Sequence, residues 1–360
     1  MKELDKVYNI NKNRLFILGA GFSAGAGIPL MDTLLKLTMD KFKNESRISE
    51  RIDNYVRIYK NLKDDEDIDY SKIDFSELCD FLEFIELREY GAGERNKDYG
   101  SREKISLRYY LSKTIAENTP YDNIPELYIK FAEQLHEEDR VLSFNWDLLL
   151  EASLIKVGKK YTYNFVEDGY INLAKLHGSI NWRIEKPYCD NGLNWTPLHP
   201  QNDREKLEIY KSNKLLNYRY WENNTSSIEP FLVLPGYGKA FDVRFNALHW
   251  YKIENIFNFT KDIYIIGLSL AKDDFFIKNL FLYTLQYLKN HSSLHDGEKE
   301  LFIINPDDKI NEIYSFIYNY KNTNIIKDYF SVPHIDEMRN RLELETIKNT
   351  KPIKIIAHNK

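Results

Sequence analysis

The sequence predicts an α/β fold, a parallel β-sheet with helices on both faces and a helical insertion. Two patterns predict it. Short apolar segments that suit buried strands recur along the 360-residue chain, and several are followed by a segment with helical periodicity. Apolar strands that alternate with helices are typical of parallel sheets, in which both faces are covered. The predicted strands are LFIL (15–18), RVLSF (140–144), AKLHG (174–178), PFLVLP (230–235), IYIIG (263–267) and LFIIN (301–305).

The first predicted strand leads into a glycine-rich run, GAGFSAGAGIP, at residues 19–29. Glycine suits a tight turn or a close approach to another group. A strand, a glycine turn and a helix start form the usual phosphate-binding element, in which backbone N–H groups and the positive helix end face the anion. The alternative is a tight turn that binds no ligand. The flanking Ser23 and the Ile28–Pro29 ending make the run more specific than a GxG pattern alone.

The stretch from about 31 to 139 predicts helices instead of strands. We interpret it as a helical insertion between the first and second strands of the sheet. The acidic KDDEDID (63–69) and the glycine-bearing GAGERNKDYG (91–100) predict exposed loops within it. The predicted helices are 32–44, 47–62, 74–90, 102–118 and 124–137.

The rest of the chain returns to strand–helix alternation, which makes the predicted sheet Rossmann-like. We expect one domain over residues 1–330, with an irregular stretch at 186–229. In the tail (331–360), HIDEMRNRLELETIKN (334–349) predicts a helix that either packs on the domain or contacts a partner. The helices predicted after later strands are DLLLEASLIK (147–156), VRFNALHWYKIENIF (243–257), DDFFIKNLFLYTLQYL (273–288) and DDKINEIYSFIYNY (307–320).

Composition excludes several classes of protein. The net charge is −5 and the chain has no lysine or arginine run, which argues against a nucleic-acid surface. The apolar stretches are far shorter than the ~20 residues of a membrane span, and the N-terminus lacks an apolar signal region. The two cysteines, Cys79 and Cys189, cannot form a four-cysteine zinc site. We expect a soluble cytoplasmic protein with no membrane contact and no metal.

Polar side chains follow the second and third predicted strands. Asn145 and Asp147 lie in SFNWDLLLE (143–151), and His177 lies in KLHGSINW (175–182). Ligands of parallel sheets bind beyond the carboxyl ends of the strands, so these side chains are candidates for one crevice. A histidine there suits proton transfer near pH 7. The local alternatives are a helix N-cap for Asp147, a turn for Asn145 and a structural role for His177.

Two later strands end in a similar way. Gly267 and Ser269 follow a strand in YIIGLSLAKDD (264–274), and Asn305 and Asp307 follow another in FIINPDD (302–308). A serine there can donate to a phosphate or a sugar, and a carboxylate can accept from ribose hydroxyls. A helix cap and an acidic first helical turn explain the same residues without a ligand.

Taken together, the motifs resemble the sirtuins. GAGFSAGAGIP, FNWD, LHGS, GLSL and INPD occur in the order of the sirtuin glycine loop, Asn-x-Asp loop, catalytic His-Gly, G-x-S loop and ribose-binding Asn-x-acid loop. LHGSINW, LPGYGK (234–239) and Trp250 look more like the prokaryotic sirtuin-like NAD-hydrolase branch of antiphage defence effectors than like the protein deacylases.

The resemblance implies a role for each matching residue. Asn145 would lie by the nicotinamide ribose, Asp147 would hold the carboxamide, and His177 would be the general base. The backbone near Ile28 would help to orient the nicotinamide. The resemblance assigns Gly19, Ala20, Gly21 and Ser23 to the NAD pyrophosphate, Gly267 and Ser269 to phosphate or adenine ribose, and Asn305 and Asp307 to the adenosine ribose.

Two departures from the deacylase pattern bear on the activity. The acid-Phe-Arg run that follows GIP in deacylases is replaced by residues 30–33, LMDT, and the cysteines of a zinc ribbon do not exist. The resemblance therefore implies an NAD⁺ hydrolase that cleaves the nicotinamide–ribose bond. It further implies an abortive-infection effector that depletes NAD when triggered, as a homo-oligomer or with a partner such as a HerA-type ATPase or an Argonaute.

Three other functions stay open at this point. The first is a sensor that binds NAD or ADP-ribose without cleaving it. The second is an NAD-dependent protein deacylase or ADP-ribosyltransferase. The third is an NAD-dependent dehydrogenase, which the glycine run disfavours because it lacks the standard GxGxxG spacing. The choice between NAD and NADP also stays open.

Overall fold

The computed structural model describes residues 14–43, 47–90, 101–163, 169–185, 208–211, 228–239, 253, 256–257, 260, 262–270, 274–287, 300–317 and 323–350. In chain order its strands are β1 (Arg14–Leu18), β2 (Arg140–Ser143), β3 (Tyr161–Thr162), β4 (Ile171–Lys175), β5 (Gly178–Glu185), β6 (Glu208–Lys211), β7 (Ile228–Leu232), β8 (Asp262–Ile266), β9 (Glu300–Ile304) and β10 (Thr323–Ile326). Its helices are α1 (Ala20–Ala24), α2 (Met31–Phe42), α3 (Arg47–Lys60), α4 (Phe75–Tyr90), α5 (Ser101–Asn118), α6 (Glu126–Gln134), α7 (Leu149–Lys156), α8 (Phe275–Phe281, continued by a π-helical segment, Leu282–Tyr287), α9 (Ile310–Ile313) and α10 (Val332–Thr350).

Seven strands form one parallel sheet in the order β10-β9-β8-β1-β2-β4-β3. The chain proceeds from β1 towards one edge through β2, and from β8 towards the other edge through β9. The two directions diverge between β1 and β8, which is the position where sheets of this kind form a ligand crevice. Leu18 is level with Ser143 on one side and with Ile266 on the other, so the loops that follow β1, β2 and β8 begin at one height.

Helices cover both faces of this sheet. Along β1, Phe16 and Leu18 point into one core, which contains side chains of α6, α7 and α10. Leu15 and Ile17 point into a second core, which contains side chains of α8 and α9. This alternation follows from the period of two in a β-strand. The Rossmann-like fold class predicted from the sequence is therefore confirmed.

A third core joins helices α2–α5 to a small antiparallel sheet of order β6-β5-β7. Trp146 and Leu148, from the loop after β2, reach into this core together with Leu232 of β7. The chain segment between β1 and β2 thus forms a helical layer from α2 to α5. Its last helix, α6, packs instead against α7 and α10 over the main sheet.

The structure agrees with most of the predicted elements and corrects three. AKLHG (174–178) is not a strand: β4 ends at Lys175, residues 176–177 form a turn, and β5 begins at Gly178. PFLVLP (230–235) contributes β7 only as far as Leu232, and β7 pairs antiparallel with β5 in the small sheet. In the described part of the predicted helix 307–320, residues 307–317, the helical elements are the four residues of α9 and a 3₁₀ turn, Ser315–Ile317.

Several predictions concern residues outside the described part of the chain. They are the loop 91–100, most of the irregular stretch 186–229, most of the helix 243–257, Cys189 and Trp250. The tail helix is observed as α10, whose Ile335 and Met338 are buried in the first core. None of the described helices combines the length and the apolar composition needed to cross a membrane.

Candidate functional site

A cavity of about 690 Å³ lies beyond the carboxyl ends of the parallel strands. Its walls come from the loops after β1, β2, β4, β8 and β9, together with α2 and the segment after β7. Every site residue predicted from the sequence lines it except Gly19. Those that line it are Ala20, Gly21, Ser23, Ile28, Asn145, Asp147, His177, Gly267, Ser269, Asn305 and Asp307.

Gly19 and Gly21 bring the loop after β1 into backbone contact with the loop after β8. The amide of Gly19 donates to the Ile266 carbonyl (3.0 Å), and the amide of Gly21 donates to the Gly267 carbonyl (2.8 Å). A Cβ at Gly19 would lie 2.4 Å from the Leu268 Cα, so no side chain fits there. These two amides are therefore used within the protein, and the glycines serve the junction between the two loops.

Gly267 faces the same junction from the other side. Its φ of +61° lies in the left-handed region, and a Cβ there would lie 2.2 Å from the amide nitrogen of Phe22. Only glycine suits both the backbone conformation and the contact. Tyr128 also stabilises this turn, because its hydroxyl donates to the Phe22 carbonyl (2.9 Å). Burial raises the pKa of Tyr128, and the Asp147 carboxylate raises it further, so the phenol stays a donor.

Asn145 links the loop after β2 to the glycine loop. Its Nδ2 donates to the Gly19 carbonyl (2.8 Å) and to Ser23 Oγ (3.1 Å). Both amide hydrogens are thereby used, and Ser23 acts as an acceptor, which leaves its own proton to donate elsewhere. Asn145 Oδ1 is buried and accepts no hydrogen bond from the described residues. The site thus presents one serine donor and one amide acceptor that a ligand or water would satisfy.

Asp147 follows two residues later and is also buried. Its Oδ1 accepts from the Leu149 amide (3.0 Å), which is a local turn bond just before α7. The N-cap of α7 is Leu148, so the interpretation of Asp147 as the helix N-cap is wrong. The carboxylate nevertheless lines the cavity beside Asn145. The turn bond to Leu149 holds the Asp147 side chain in place at the cavity wall.

His177 lies on the turn between β4 and β5. Its carbonyl accepts from Trp146 Nε1 (3.0 Å) and from the Val233 amide (2.9 Å), and its ring packs edge-on against Phe144 at 5.2 Å. Gly178, which follows, has a φ of +79°, and a Cβ there would lie 2.1 Å from the Phe231 carbonyl oxygen. The His-Gly pair is therefore fixed by packing against β7, with the histidine in the cavity wall.

Ser269, in the loop after β8, is oriented by Asn305 in the loop after β9. Asn305 Nδ2 donates to Ser269 Oγ (3.1 Å), and Asn305 Oδ1 accepts from the Asp307 amide (3.0 Å). Asp307 Oδ1 accepts in turn from the Lys309 amide (2.8 Å), as expected for an acidic residue in a helix-start turn. Ser269, like Ser23, accepts from an asparagine and keeps its own proton for another acceptor.

Sequence reasoning assigned no role to a buried ion pair in the cavity wall. Lys239 Nζ lies 2.7 Å from Asp274 Oδ1, and both side chains line the cavity. Among the described lining residues, Lys239 is the one lysine or arginine, whereas the aspartates are Asp32, Asp147, Asp274 and Asp307. The pair joins a segment after β7 to the start of α8, and no sequence spacing links these two regions.

No group of three His, Cys, Asp or Glu side chains in the described residues is arranged to hold a metal ion. Comparison of the sequence with protein-family models gives no match, and no curated protein matches it either. The structure resembles a Sir2 homologue solved with NAD (14% identity, 96% of this chain and 94% of that one, TM-score 0.39). It also resembles a Sir2 homologue mutant solved with ADP-ribose (15% identity, 98% and 100%, TM-score 0.42).

A third resemblance is to Sir2Tm bound to a propionylated peptide, with 14% identity over 96% of this chain and 99% of that one and a TM-score of 0.39. Identities and TM-scores of this size do not carry a function from one protein to another. The candidate site of this chain rests on its own sheet order, glycine junction and hydrogen bonds.

Proposed function

We propose that the protein is an NAD⁺ hydrolase that cleaves the nicotinamide–ribose bond and releases nicotinamide and ADP-ribose. The observation that carries the proposal is the convergence of Asn145, Asp147 and His177 in one cavity at the switch point of the sheet. These residues come from the loops after β2 and β4. The same cavity holds two serine hydroxyls that are oriented to donate.

The residues suit a dinucleotide of this kind. A cavity of about 690 Å³ is within the usual range for organic ligands, roughly 300–1,000 Å³. Ser23 and Ser269 supply O–H donors for phosphate oxygens, since each accepts from an asparagine. Asn305 and Asp307 supply groups for a ribose. Since the amides of Gly19 and Gly21 are used by the β8 loop, the serines carry more of the phosphate contact than the glycine pattern alone suggests.

The reaction would pass through an oxocarbenium-like transition state, as in glycoside cleavage generally. Nicotinamide leaves as a neutral molecule and needs orientation more than protonation, which Asp147 and the backbone near Ile28 would supply. Asn145 Oδ1, a buried acceptor without a described partner, would hold a proton of water or of a ribose hydroxyl. His177 would act as the general base, a contribution typically worth ~10²–10⁴-fold in rate.

The biological setting is a proposal from the motif resemblance alone. Under this proposal the protein is a cytoplasmic antiphage effector that depletes NAD when it is triggered, and self-assembly or a HerA-type partner activates it. Uncontrolled hydrolysis of NAD would harm the host cell. We therefore expect low basal activity in the isolated chain, which sets the sensitivity that the assay needs.

The test is nicotinamide release from NAD by the purified protein, measured by mass spectrometry with and without an acetylated peptide. Release without peptide that is lost in His177→Ala and Asn145→Ala supports hydrolysis. His136→Ala is the matched control, because His136 is exposed and lies outside the cavity wall. We expect this variant to keep wild-type turnover.

Each other outcome identifies one of the remaining functions. Release that requires the acetylated peptide identifies a deacylase. ADP-ribose binding without release under any assembly condition identifies a sensor. Wild-type turnover in well-folded His177→Ala contradicts the role of the histidine.

A further inference from the structure

We propose that Lys175 and Glu151 are positioning residues for the cleavage reaction. They would fix the position of the loop that carries Asn145 and Asp147 relative to the turn that carries His177. This inference rests on the proposed function and names further residues of the same site. Neither residue lines the main cavity, so neither would touch the substrate.

The two side chains form a buried ion pair directly behind the candidate catalytic loop. Lys175 Nζ lies 3.0 Å from Glu151 Oε1, and each side chain is no more than 2% exposed. Lys175 is the last residue of β4, two positions before His177, and Glu151 lies in the first turn of α7. Lys175 Nζ also donates to the main-chain carbonyl of Asp147. One ammonium group therefore connects the end of β4 to the loop after β2.

Two more buried side chains hold the carboxylate. The Tyr163 hydroxyl donates to Glu151 Oε1 (3.0 Å), and Asn181 Nδ2 donates to the Tyr163 oxygen (3.0 Å). Burial raises the pKa of Tyr163 well above its usual value, and the Glu151 charge adds to this, so the phenol remains a donor. The carboxylate that anchors Lys175 is thus fixed from β5 and from the segment after β3.

Stability alone gives a weak reason for a buried ion pair. The cost of removing two charges from water is often as large as their attraction, and apolar replacements are often neutral or stabilising. The location suggests another reason. The loop at 145–147 is tied to the chain at 175–180 by four described contacts. Lys175 donates to the Asp147 carbonyl, Trp146 Nε1 donates to the His177 carbonyl, and the Ile180 amide and the Ser179 hydroxyl both donate to the Trp146 carbonyl.

The Lys175 contact is the one of these four that a charged side chain makes, and charge-assisted hydrogen bonds are roughly twice as strong as neutral ones. Its loss would release the Asp147 carbonyl and leave the three neutral contacts to set the spacing of the loops. A displacement of about 1 Å in a catalytic arrangement can lower the rate about 10²-fold.

The chain contains a matched control pair at the opposite ends of the strands, in the middle of the sheet. Arg14, the first residue of β1, forms two hydrogen bonds with Asp139 (2.9 and 2.6 Å), and both side chains are buried. This pair lies at the amino ends of the strands, whereas the cavity lies beyond their carboxyl ends. Breaking it should lower stability as breaking the Lys175–Glu151 pair does, without moving the candidate catalytic loops.

The experiment compares Lys175→Met, Glu151→Gln and Asp139→Asn in the full chain. The measurements are kcat and KM for nicotinamide release, the Kd for ADP-ribose, and the urea midpoint of unfolding. For Lys175→Met we expect a loss in kcat of about 10²-fold, with KM and Kd within about threefold of wild type. We expect Glu151→Gln, which keeps the shape and the oxygen acceptor, to lose about tenfold. Asp139→Asn should lower the urea midpoint but leave kcat within about twofold.

Three results would overturn the inference. They are a kcat within about twofold of wild type in folded Glu151→Gln, an equal loss of kcat in Asp139→Asn, and a rise in Kd that matches the fall in kcat. If Lys175→Met does not fold, the isosteric Glu151→Gln decides the question. A wild-type protein that releases no nicotinamide under any assembly condition refutes the proposed function itself, whereas an active wild type with a fully active Glu151→Gln refutes only the positioning role.

Discussion

Replacing Gly267 by alanine tests the junction on which the whole crevice depends. The residue has a φ of +61°, and the added Cβ would lie 2.2 Å from the amide nitrogen of Phe22. That atom belongs to the backbone, so no flexible side chain can move away to make room. The substitution must push the loop after β8 away from the loop after β1.

The expected cost follows from three contributions. The left-handed conformation costs a residue with a Cβ about 1–2 kcal/mol. Relief of the close contact would lengthen the hydrogen bonds from Gly21 to the Gly267 carbonyl (2.8 Å) and from Gly19 to the Ile266 carbonyl (3.0 Å). Each such bond contributes about 1 kcal/mol net. Together these give a loss of about 3–4 kcal/mol in the free energy of unfolding.

Gly158→Ala is the matched control for this change. Gly158 has a similar φ of +73°, but a Cβ there meets no atom within 4 Å, so only the backbone cost of about 1–2 kcal/mol applies. Urea unfolding of both variants separates the cost of the left-handed backbone from the cost of the close contact with Phe22. ADP-ribose is also titrated into each variant. Gly267→Ala should also bind ADP-ribose more weakly. Equal destabilisation by the two changes would refute the close contact between the loops.

Two further predictions concern the ion pair in the cavity and the tail helix. Lys239→Met should weaken ADP-ribose binding about tenfold in calorimetry, because Lys239 is the one lysine or arginine among the described lining residues. The control, Lys278→Met, changes an exposed lysine and should leave the Kd unchanged. Equal affinities in the two variants would contradict a contact between Lys239 and a phosphate. Ile335→Ala should lower the free energy of unfolding by about 2–5 kcal/mol, because this α10 side chain is fully buried in the first core. The exposed Asn340→Ala should stay within about 0.5 kcal/mol of wild type in the same urea titration, and a neutral Ile335→Ala would refute the packing of α10.

The sequence predicted the central strands well because both of their faces are buried. The runs at 15–18, 263–267 and 301–305 are apolar without interruption, and each appears in the structure within one residue of its predicted start. β10 (Thr323–Ile326) escaped prediction because it is a four-residue edge strand whose side chains are only partly buried. Periodicity gives little information over so short and mixed a segment.

The error at 174–178 has a different cause. Ala174 and Leu176 are both buried, so the apolar pattern continues past the real end of β4. The break is set by Gly178, whose positive φ and close contact with the Phe231 carbonyl are tertiary features. The antiparallel pairing of β7 with β5 is likewise a long-range contact that no local pattern reveals.

The candidate site could be predicted as a set of residues but not as a set of contacts. The motifs named side chains that the fold does bring to one cavity. They did not show that the amides of Gly19 and Gly21 are used by the β8 loop, nor that asparagines orient Ser23 and Ser269. Such bonds join residues more than 30 positions apart, and only the tertiary structure brings them together.

The network behind the site bears on the choice between a hydrolase and a binding module. Donors for phosphate and acceptors for ribose suffice to bind a dinucleotide, and the two serine–asparagine pairs supply these at the cavity wall. Binding alone does not require a fully buried charge pair behind the loop of Asn145 and Asp147, where desolvation is costly. A reaction does require a fixed distance between that loop and His177, since catalysis depends on geometry more steeply than affinity does. The proposed hydrolase therefore accounts for the buried Lys175–Glu151 pair better than a binding module does, and under that proposal a change at Glu151 should be seen in the rate before it is seen in the affinity.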